Sequence, residues 1–304
     1  MTQSEYKQKI LDDLNAHRIN PMNDVLFKFI FGKEEHKQIT IDFLNAVLEE
    51  SLEHPIKDLS FTQTEFVPQD DGGKLTRLDV ACVLDSGQVV DVEVQVINYK
   101  NMQRRTLYYW SQMYLMGIVS GEDYQELRPA ITINILAFRL FAQAAPHAMY
   151  SIYNIKTGER LNNDMELHFL EIPKFVNKPV KEMTKMERWL AYFANKLNQQ
   201  EREELAMSEA AIGKAYDATG TFFLDKQDRL NYINRQMAIM DYNSGINAAE
   251  KRGEKRGEKR GEERGEKRMA ALIEKLSDAQ RYDDIAKVSR DTQYRSQLYT
   301  EFKL

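Results

Sequence analysis

The sequence predicts an α/β protein: a mixed sheet flanked by helices, followed by a mostly helical C-terminal region. Three observations predict it. Between Lys57 and Ile97 apolar and polar residues alternate with a period of two, the mark of β-strands. The run PAITINILAF, from Pro129 onward, is almost continuously apolar and β-rich, as in a strand covered on both faces. After Pro173 the spacing of apolar residues becomes helical, and the change marks a compositional boundary near residue 175.

The elements follow in chain order. Residues 1–19 form an N-terminal helix or arm. Asn23 is a plausible N-cap for the helix DVLFKFIF, whose Val25, Leu26, Phe29 and Ile30 fall on helical spacing before Gly32 ends it. A second amphipathic helix runs from about His36 to Leu48, and Pro55 closes the helical entry. LSFTQTEFV reads as a strand and PQDDGGK as a turn-rich loop. LTRLDVACVL and QVVDVEVQVI read as two more strands, joined through Asp85, Ser86 and Gly87 into a meander. MQRRTLYYWSQMYLMGI is a helix with a broad aromatic and apolar face. Shorter strands near Tyr150–Ile155 and Met165–Ile172 complete the sheet, and TKMERWLAYFANKL and EREELAMSEAAIGKA are amphipathic helices.

The divisions are therefore residues 1–19, an α/β domain at 20–175, a helical region at 176–249, a charged tract at 250–268 and a helical tail at 269–304. The tract repeats EKRG with a four-residue period, close to one helical turn. It has no apolar face and a glycine in every repeat, each costing about 1 kcal/mol in a helix relative to alanine. It reads as a solvated spacer, either a frayed helix or disorder, or alternatively as a basic stripe that touches nucleic acid.

Composition narrows the class. Of 304 residues 42% are hydrophobic and 29% charged, which excludes global disorder and leaves a well-solvated surface. No run approaches the roughly 18 apolar residues of a membrane span, and the start lacks the apolar segment of a secretory leader. The expectation is a cytoplasmic protein that touches no membrane. Cys82 is the single cysteine and falls on the apolar face of its strand, so it reads as inert core. The formal net charge of −5 gives no global pull toward nucleic acid, so any phosphate-binding surface has to be local. The five histidines show no metal-ligand spacing, and His168 reads as a strand-surface residue. Gly72-Gly73-Lys74 lacks the spacing of a phosphate-binding loop, so no small-molecule cofactor is expected.

The chemistry gathers in the meander. Alternation places Leu78, Val80, Cys82 and Leu84 on one face of the first strand, with Arg77, Asp79, Ala81 and Val83 on the other. In the second strand Val90, Val92, Val94 and Val96 oppose Asp91, Glu93, Gln95 and Ile97. If Leu84 pairs with Gln88 across the loop, Asp79 stands opposite Glu93, and Arg77 faces Gln95. Adjacent carboxylates at about 4.5–5.5 Å repel one another, and a hard divalent cation relieves the repulsion. The plain alternative is a hairpin face turned to water in another register.

An acidic residue on one strand and E-x-Q on the next, after an acidic helix, resembles the PD-(D/E)XK nucleases. NDVLFKFIFG, FLNAVL, TRLDV, VDVEVQ, the R-x-x-x-YYW helix, INILAF and ELHFLEIPKF, in that order over residues 20–175, resemble the Rpn family of recombination-promoting nucleases, PD-(D/E)XK nuclease family transposases. The resemblance implies a restriction-endonuclease-like core and a Mg²⁺-dependent DNA endonuclease, with Mn²⁺ as a substitute ion. Asp79 and Glu93 would bind the metal with the Val94 carbonyl, Asp24 would match the acidic position of the first helix, and Gln95 would stand where most members have lysine. Asp24 has a second reading as a charge favoured at a helix N-terminus. Glutamine hydrogen-bonds but supplies no positive charge, so Lys74 or Arg77 is a candidate substitute. Lys100, Arg104 and Arg105, beside Tyr108, Tyr109 and Trp110, are candidate nucleic-acid contacts, or else a surface turn over core aromatics. Cutting both strands of a duplex needs two active sites, so a homodimer is expected. The alternatives are an RNA-directed nuclease and an inactive DNA-binding or protein-interaction module on the same fold.

Overall fold

The computed structural model describes residues 3–16, 18–66, 76–118 and 121–304. The PQDDGGK loop, including Gly72, Gly73 and Lys74, lies outside them. The chain divides into two units, Met1–Met240 and Asp241–Leu304.

In the first unit the order begins with α1 (Gln3–Asn15), α2 (Asp24–Phe31) and α3 (Lys37–Val47). β1 (Leu59–Phe61), β2 (Glu65–Phe66), β3 (Thr76–Arg77), β4 (Val80–Leu84) and β5 (Val89–Gln95) follow. Next come α4 (Met102–Leu115), β6 (Ala130–Leu136), β7 (His147–Tyr150) and β8 (Met165–Glu171), then α5 (Lys185–Ala194), α6 (Gln199–Ser208), α7 (Ala210–Phe222) and the first part of α8 (Lys226–Asp278). Asn23 caps α2 as its sequence predicts: Oδ1 accepts from the N–H groups of Val25 and Leu26, at 3.1 and 3.4 Å.

Six strands form one mixed sheet in the order β1-β4-β5-β6-β8-β7. β1, β4 and β5 are the antiparallel meander, β5, β6 and β8 run parallel, and β7 closes the far edge antiparallel to β8. This mixed sheet with flanking helices is consistent with the PD-(D/E)XK nuclease fold expected from the sequence.

Helices cover both faces. On one, Val80, Cys82, Val90, Val92, Val94, Ile131, Ile133 and Ile135 pack into a continuous core with α2, α3, α5 and α7. Its aromatic centre is Phe31, whose ring lies 4.7 Å from that of Phe27, 5.6 Å from Phe43 and 5.7 Å from Trp189. α4 crosses the other face between β5 and β6. Near its start Met102 joins Leu136, Met165, Leu167 and Phe169, and near its end Met113 joins Leu78, Ala81 and Ala130. Cys82 is buried, and burial pushes its thiol up to about 12, which matches the reading of inert core. The helical texture after residue 175 marks the end of the sheet and not of the packing, since Trp189, Leu205, Ile212, Phe222 and Ile233 belong to the same core.

Several expectations need correction. LSFTQTEFV is two short strands: β1 pairs with β4, whereas β2 pairs with β3 in a separate two-stranded ribbon. LTRLDVACVL breaks at Leu78 and Asp79, where the chain leaves the ladder. The break turns Leu78 toward α4, beside Ala81, and off the face of Val80. Arg77 consequently does not face Gln95: it pairs with Glu65 in the ribbon, and its Nε makes a 2.9 Å ion pair with that carboxylate. The strand expected over Tyr150–Ile155 lies earlier, at β7. His168 is buried, not a surface residue, because β7 adds an edge beside it and brings His147 Nε2 within 3.0 Å of His168 Nδ1.

In the second unit the EKRG tract is helical as the later part of α8, and its side chains are exposed. α9 (Tyr282–Val288) and α10 (Thr292–Glu301) follow, and Leu272, Leu276, Val288 and Leu298 form a small core of their own. No helix among the described residues is long and apolar enough to cross a membrane.

Candidate active site

The turn at Asp85–Gly87 sets the register that the sequence predicts: Leu84 N–H donates to the Gln88 carbonyl, and Val80 stands opposite Val92. One residue further Asp79 has left the strand, and side chains replace the missing ladder bonds. The Asp79 N–H donates to Glu93 Oε1 at 3.0 Å, and the Val94 N–H donates to Asp79 Oδ2 at 3.0 Å. Asp79 and Glu93 are thus locked together where β4 peels away from β5.

The opening there lets residues from both faces of the sheet meet. From α4, Arg105 reaches inward, donating from Nη2 to Glu93 Oε2 and from Nη1 to Gln95 Oε1, both at 2.9 Å. Gln95 Nε2 donates to the same Glu93 oxygen at 2.9 Å, so the amide is held at both ends. From α2, Lys28 Nζ lies 3.0 Å from Asp79 Oδ1. Asp24, the first residue of α2, accepts a 2.7 Å bond from Nε of Arg235 in the first part of α8. Asp24, Asp79, Val94, Gln95, Arg105 and Arg235 line one cavity of about 150 Å³, with Tyr99 at its wall.

Most of the predicted residues therefore gather in one place. Asp24, Asp79, Glu93, Val94, Gln95 and Arg105 share the site, whereas Lys100 and Arg104 lie exposed at the start of α4. Lys100 adopts a left-handed backbone with φ of 60°. The aromatics divide: Trp110 donates to the Ala130 carbonyl and stacks on Tyr114, Tyr109 lies against Arg105, and Tyr108 is exposed. Lys28 and Arg235 are absent from the sequence prediction, and Asp91 appears there on the polar face of its strand but without a role in the site. The only hint of the first was an apolar helix carrying one lysine, and nothing local marks Arg235.

Electrostatically the site is under tension. β5 presents Asp91, Glu93 and Gln95 to the α4 face, and all three are buried, with Glu93 at 1% exposure. Burial and the neighbouring Asp79 charge push the Glu93 carboxyl up to about 8, against the pull of Arg105. Burial likewise raises Asp79 despite Lys28 and the Val94 N–H. Asp91, opposite Thr132 in the register, is raised further by burial and by Glu93 and Asp79, and neither of its oxygens has a hydrogen-bond partner in the protein. Isolated buried carboxylates cost several kcal/mol each, so a face like this is not built for stability.

The family model for PD-(D/E)XK nuclease family transposases matches residues 21–249. The chain belongs to that family. No curated protein and no solved structure gives a significant match. PD-(D/E)XK proteins are usually nucleases and generally use divalent metals, so a nuclease or transposase-like activity on nucleic acid is the family's implication for this chain.

The residues can be tested against such an ion. The oxygens of Asp79, Glu93 and Asp24 and the Gln95 amide are hard donors of the kind that Mg²⁺ and Mn²⁺ accept. Among the described residues no group of three His, Cys, Asp or Glu side chains stands arranged to hold a metal ion. Lys28 and Arg105 stand on the carboxylates instead. The donor types are those such an ion accepts, and one ammonium and one guanidinium stand against the three carboxylates of Asp79, Glu93 and Asp91.

Proposed function

We propose that the chain is a Mg²⁺-dependent DNA endonuclease of the transposase-like PD-(D/E)XK branch, with Mn²⁺ able to replace Mg²⁺. It would serve recombination or the cleavage of mobile-element or phage DNA. The observation that carries this reading is the interlocking of Asp79 with Glu93 beside Gln95, Val94 and Asp24 on one small polar cavity. Burying two carboxylates together carries a desolvation cost, and a divalent ion gives the pairing a purpose.

Asp79 and Glu93, with the Val94 carbonyl, are the ligands we assign to the ion. When bound it lowers the pKa of a water molecule and stabilises negative charge on the phosphoryl group. Gln95 orients groups by hydrogen bonds, and Arg105 holds both Gln95 and Glu93 in place. Asp24 contributes negative charge on the α2 side, restrained by Arg235. Lys100 and Arg104 are assigned to the DNA backbone, where each phosphate contact adds to the salt dependence of binding. A homodimer presenting two sites to the two strands, a cytoplasmic location and a spacer role for residues 250–268 complete the proposal. So does a catalytic domain over 20–175, followed by the 176–249 helices and the 269–304 tail.

One observation favours a second reading, an inactive DNA-binding or interaction module. Both Asp79 oxygens and both Glu93 oxygens are already engaged by protein donors, so the site is self-satisfied without an ion. Incubation of supercoiled plasmid with the full chain in Mg²⁺, Mn²⁺ or EDTA separates the two. Metal-dependent cutting abolished by both Asp79→Ala and Glu93→Ala supports the nuclease. No cutting, or cutting that survives in both variants, favours the module, and an RNA substrate run in parallel tests the sugar preference.

A further inference from the structure

Gln95 leaves the site without the mobile positive charge that a lysine there would provide, and α2 brings one from the opposite face of the sheet. Lys28 lies in the last turn of a helix anchored by Leu26, Phe27, Ile30 and Phe31, all at most 1% exposed. Its backbone is therefore fixed. Its side chain is not: it is 44% exposed and makes its ion pair with Asp79 from the solvent side.

Among the described residues at the site, the other cations are committed elsewhere. Arg105 uses both terminal nitrogens on Glu93 and Gln95 and is largely covered, and Arg235 holds Asp24. Lysine also suits the task, since its ammonium is a compact point charge on a flexible stem with three donors, able to change partners by rotating single bonds.

We propose that Lys28 is the phosphate-contacting ammonium of this site: it rests on Asp79 in the free protein and moves onto the scissile phosphate when nucleic acid and a divalent ion bind. The proposal rests on the nuclease reading given above. Asp79 Oδ1 cannot hold the ammonium and a divalent ion side by side without strong cation–cation repulsion, which grows as the site is covered from water. In the free protein Lys28 and the ion therefore compete for Asp79. A phosphate arriving at the cavity offers oxygens to both cations and removes the competition. The ammonium then faces the charge that develops on phosphorus, a service the Gln95 amide cannot perform.

The test uses the full chain and two readouts. In a Mn²⁺ titration without nucleic acid, Lys28→Met is expected to bind Mn²⁺ about tenfold more tightly than wild type, since a competing cation is gone. In plasmid cleavage at saturating Mn²⁺, Lys28→Met is expected to lose about 10²–10³-fold in kcat, the size of effect seen when one charge-stabilising donor is removed. Lys28→Arg should retain much of the rate, and the double variant Lys28→Met, Gln95→Lys should recover a large part of it by returning the charge to the strand. Far-UV circular dichroism checks that each variant is folded. Cleavage by Lys28→Met within threefold of wild type, or unchanged or weaker Mn²⁺ binding, overturns the role of Lys28 alone. A wild-type chain that cuts nothing overturns the nuclease reading and this proposal with it.

Discussion

The two faces of β5 carry the same burial and opposite chemistry. Val90, Val92 and Val94 are 0%, 1% and 4% exposed, and Asp91, Glu93 and Gln95 are 0%, 1% and 7% exposed. The valines join the aromatic and aliphatic core under α2, α3 and α5, where each buried side chain contributes about 1.5–3 kcal/mol. The acids lie beneath α4 and work against the fold, as the raised Glu93 and Asp91 carboxyls record. Burial alone therefore does not separate core from candidate active site. What separates them is whether the buried group gains or loses by leaving water, and in this strand the stable face supports the unstable one.

Substitutions on the two faces should divide accordingly. The largest effect is expected from Glu93→Gln: plasmid cleavage should fall by about 10³-fold or more, while the melting temperature is unchanged or higher because a buried ionisable group has been made neutral. A cleaving Glu93→Gln variant would erase the distinction between the faces. Phe31→Ala on the other face should do the reverse, removing about 3–5 kcal/mol of stability through the cavity it leaves among Phe27, Phe43 and Trp189. Chemical denaturation measures the loss.

A pH series sharpens the comparison. Glu93 has an ordinary value of 4.5 and stands near 8 in the folded chain. Between those values the unfolded chain has released a proton that the folded chain keeps, so rising pH favours unfolding. The stabilising effect of the bound proton is complete below about pH 4.5 and is lost as pH rises through about 8. In EDTA the melting temperature should decline across this window. Asp91→Asn should gain about 1 kcal/mol over wild type at pH 8 and less at pH 5, since an amide has no proton to lose. Equal gains at both pH values would show that the Asp91 proton is irrelevant. The smallest effect belongs to Lys259→Ala in the charged tract, where the exposed pair with Glu263 at 4.0 Å should be worth within about 0.5 kcal/mol.

Much of this arrangement was legible in the sequence. Pairing Leu84 with Gln88 across the three-residue connection was one of the registers open to the sequence, and it is the one that forms and brings Asp79 to Glu93. Asn23 before an apolar helical run is a cap by chemistry alone. Period-two alternation, however, does not say whether the polar face meets water or a helix, so the burial of Asp91 and Glu93 under α4 was not readable. Neither was the break at Leu78–Asp79, which sends Arg77 to Glu65 and frees the Val94 N–H for Asp79. His168 looked like a surface residue because its burial depends on β7, an edge strand contributed by a separate segment. Lys28 and Arg235 reach the site by tertiary packing across 51 and 211 residues of chain respectively, distances over which no local pattern carries information.

The role proposed for the acidic face of β5, joined by Asp79, is to hold a divalent ion. Titration of Mn²⁺ into the full-length chain at pH 8, monitored by the loss of the free-ion electron paramagnetic resonance signal, tests it most directly. Saturable binding to the wild type, lost in Asp79→Ala and in Glu93→Ala, is the expected result. Absence of binding to the wild type, or binding that both variants retain, would contradict it.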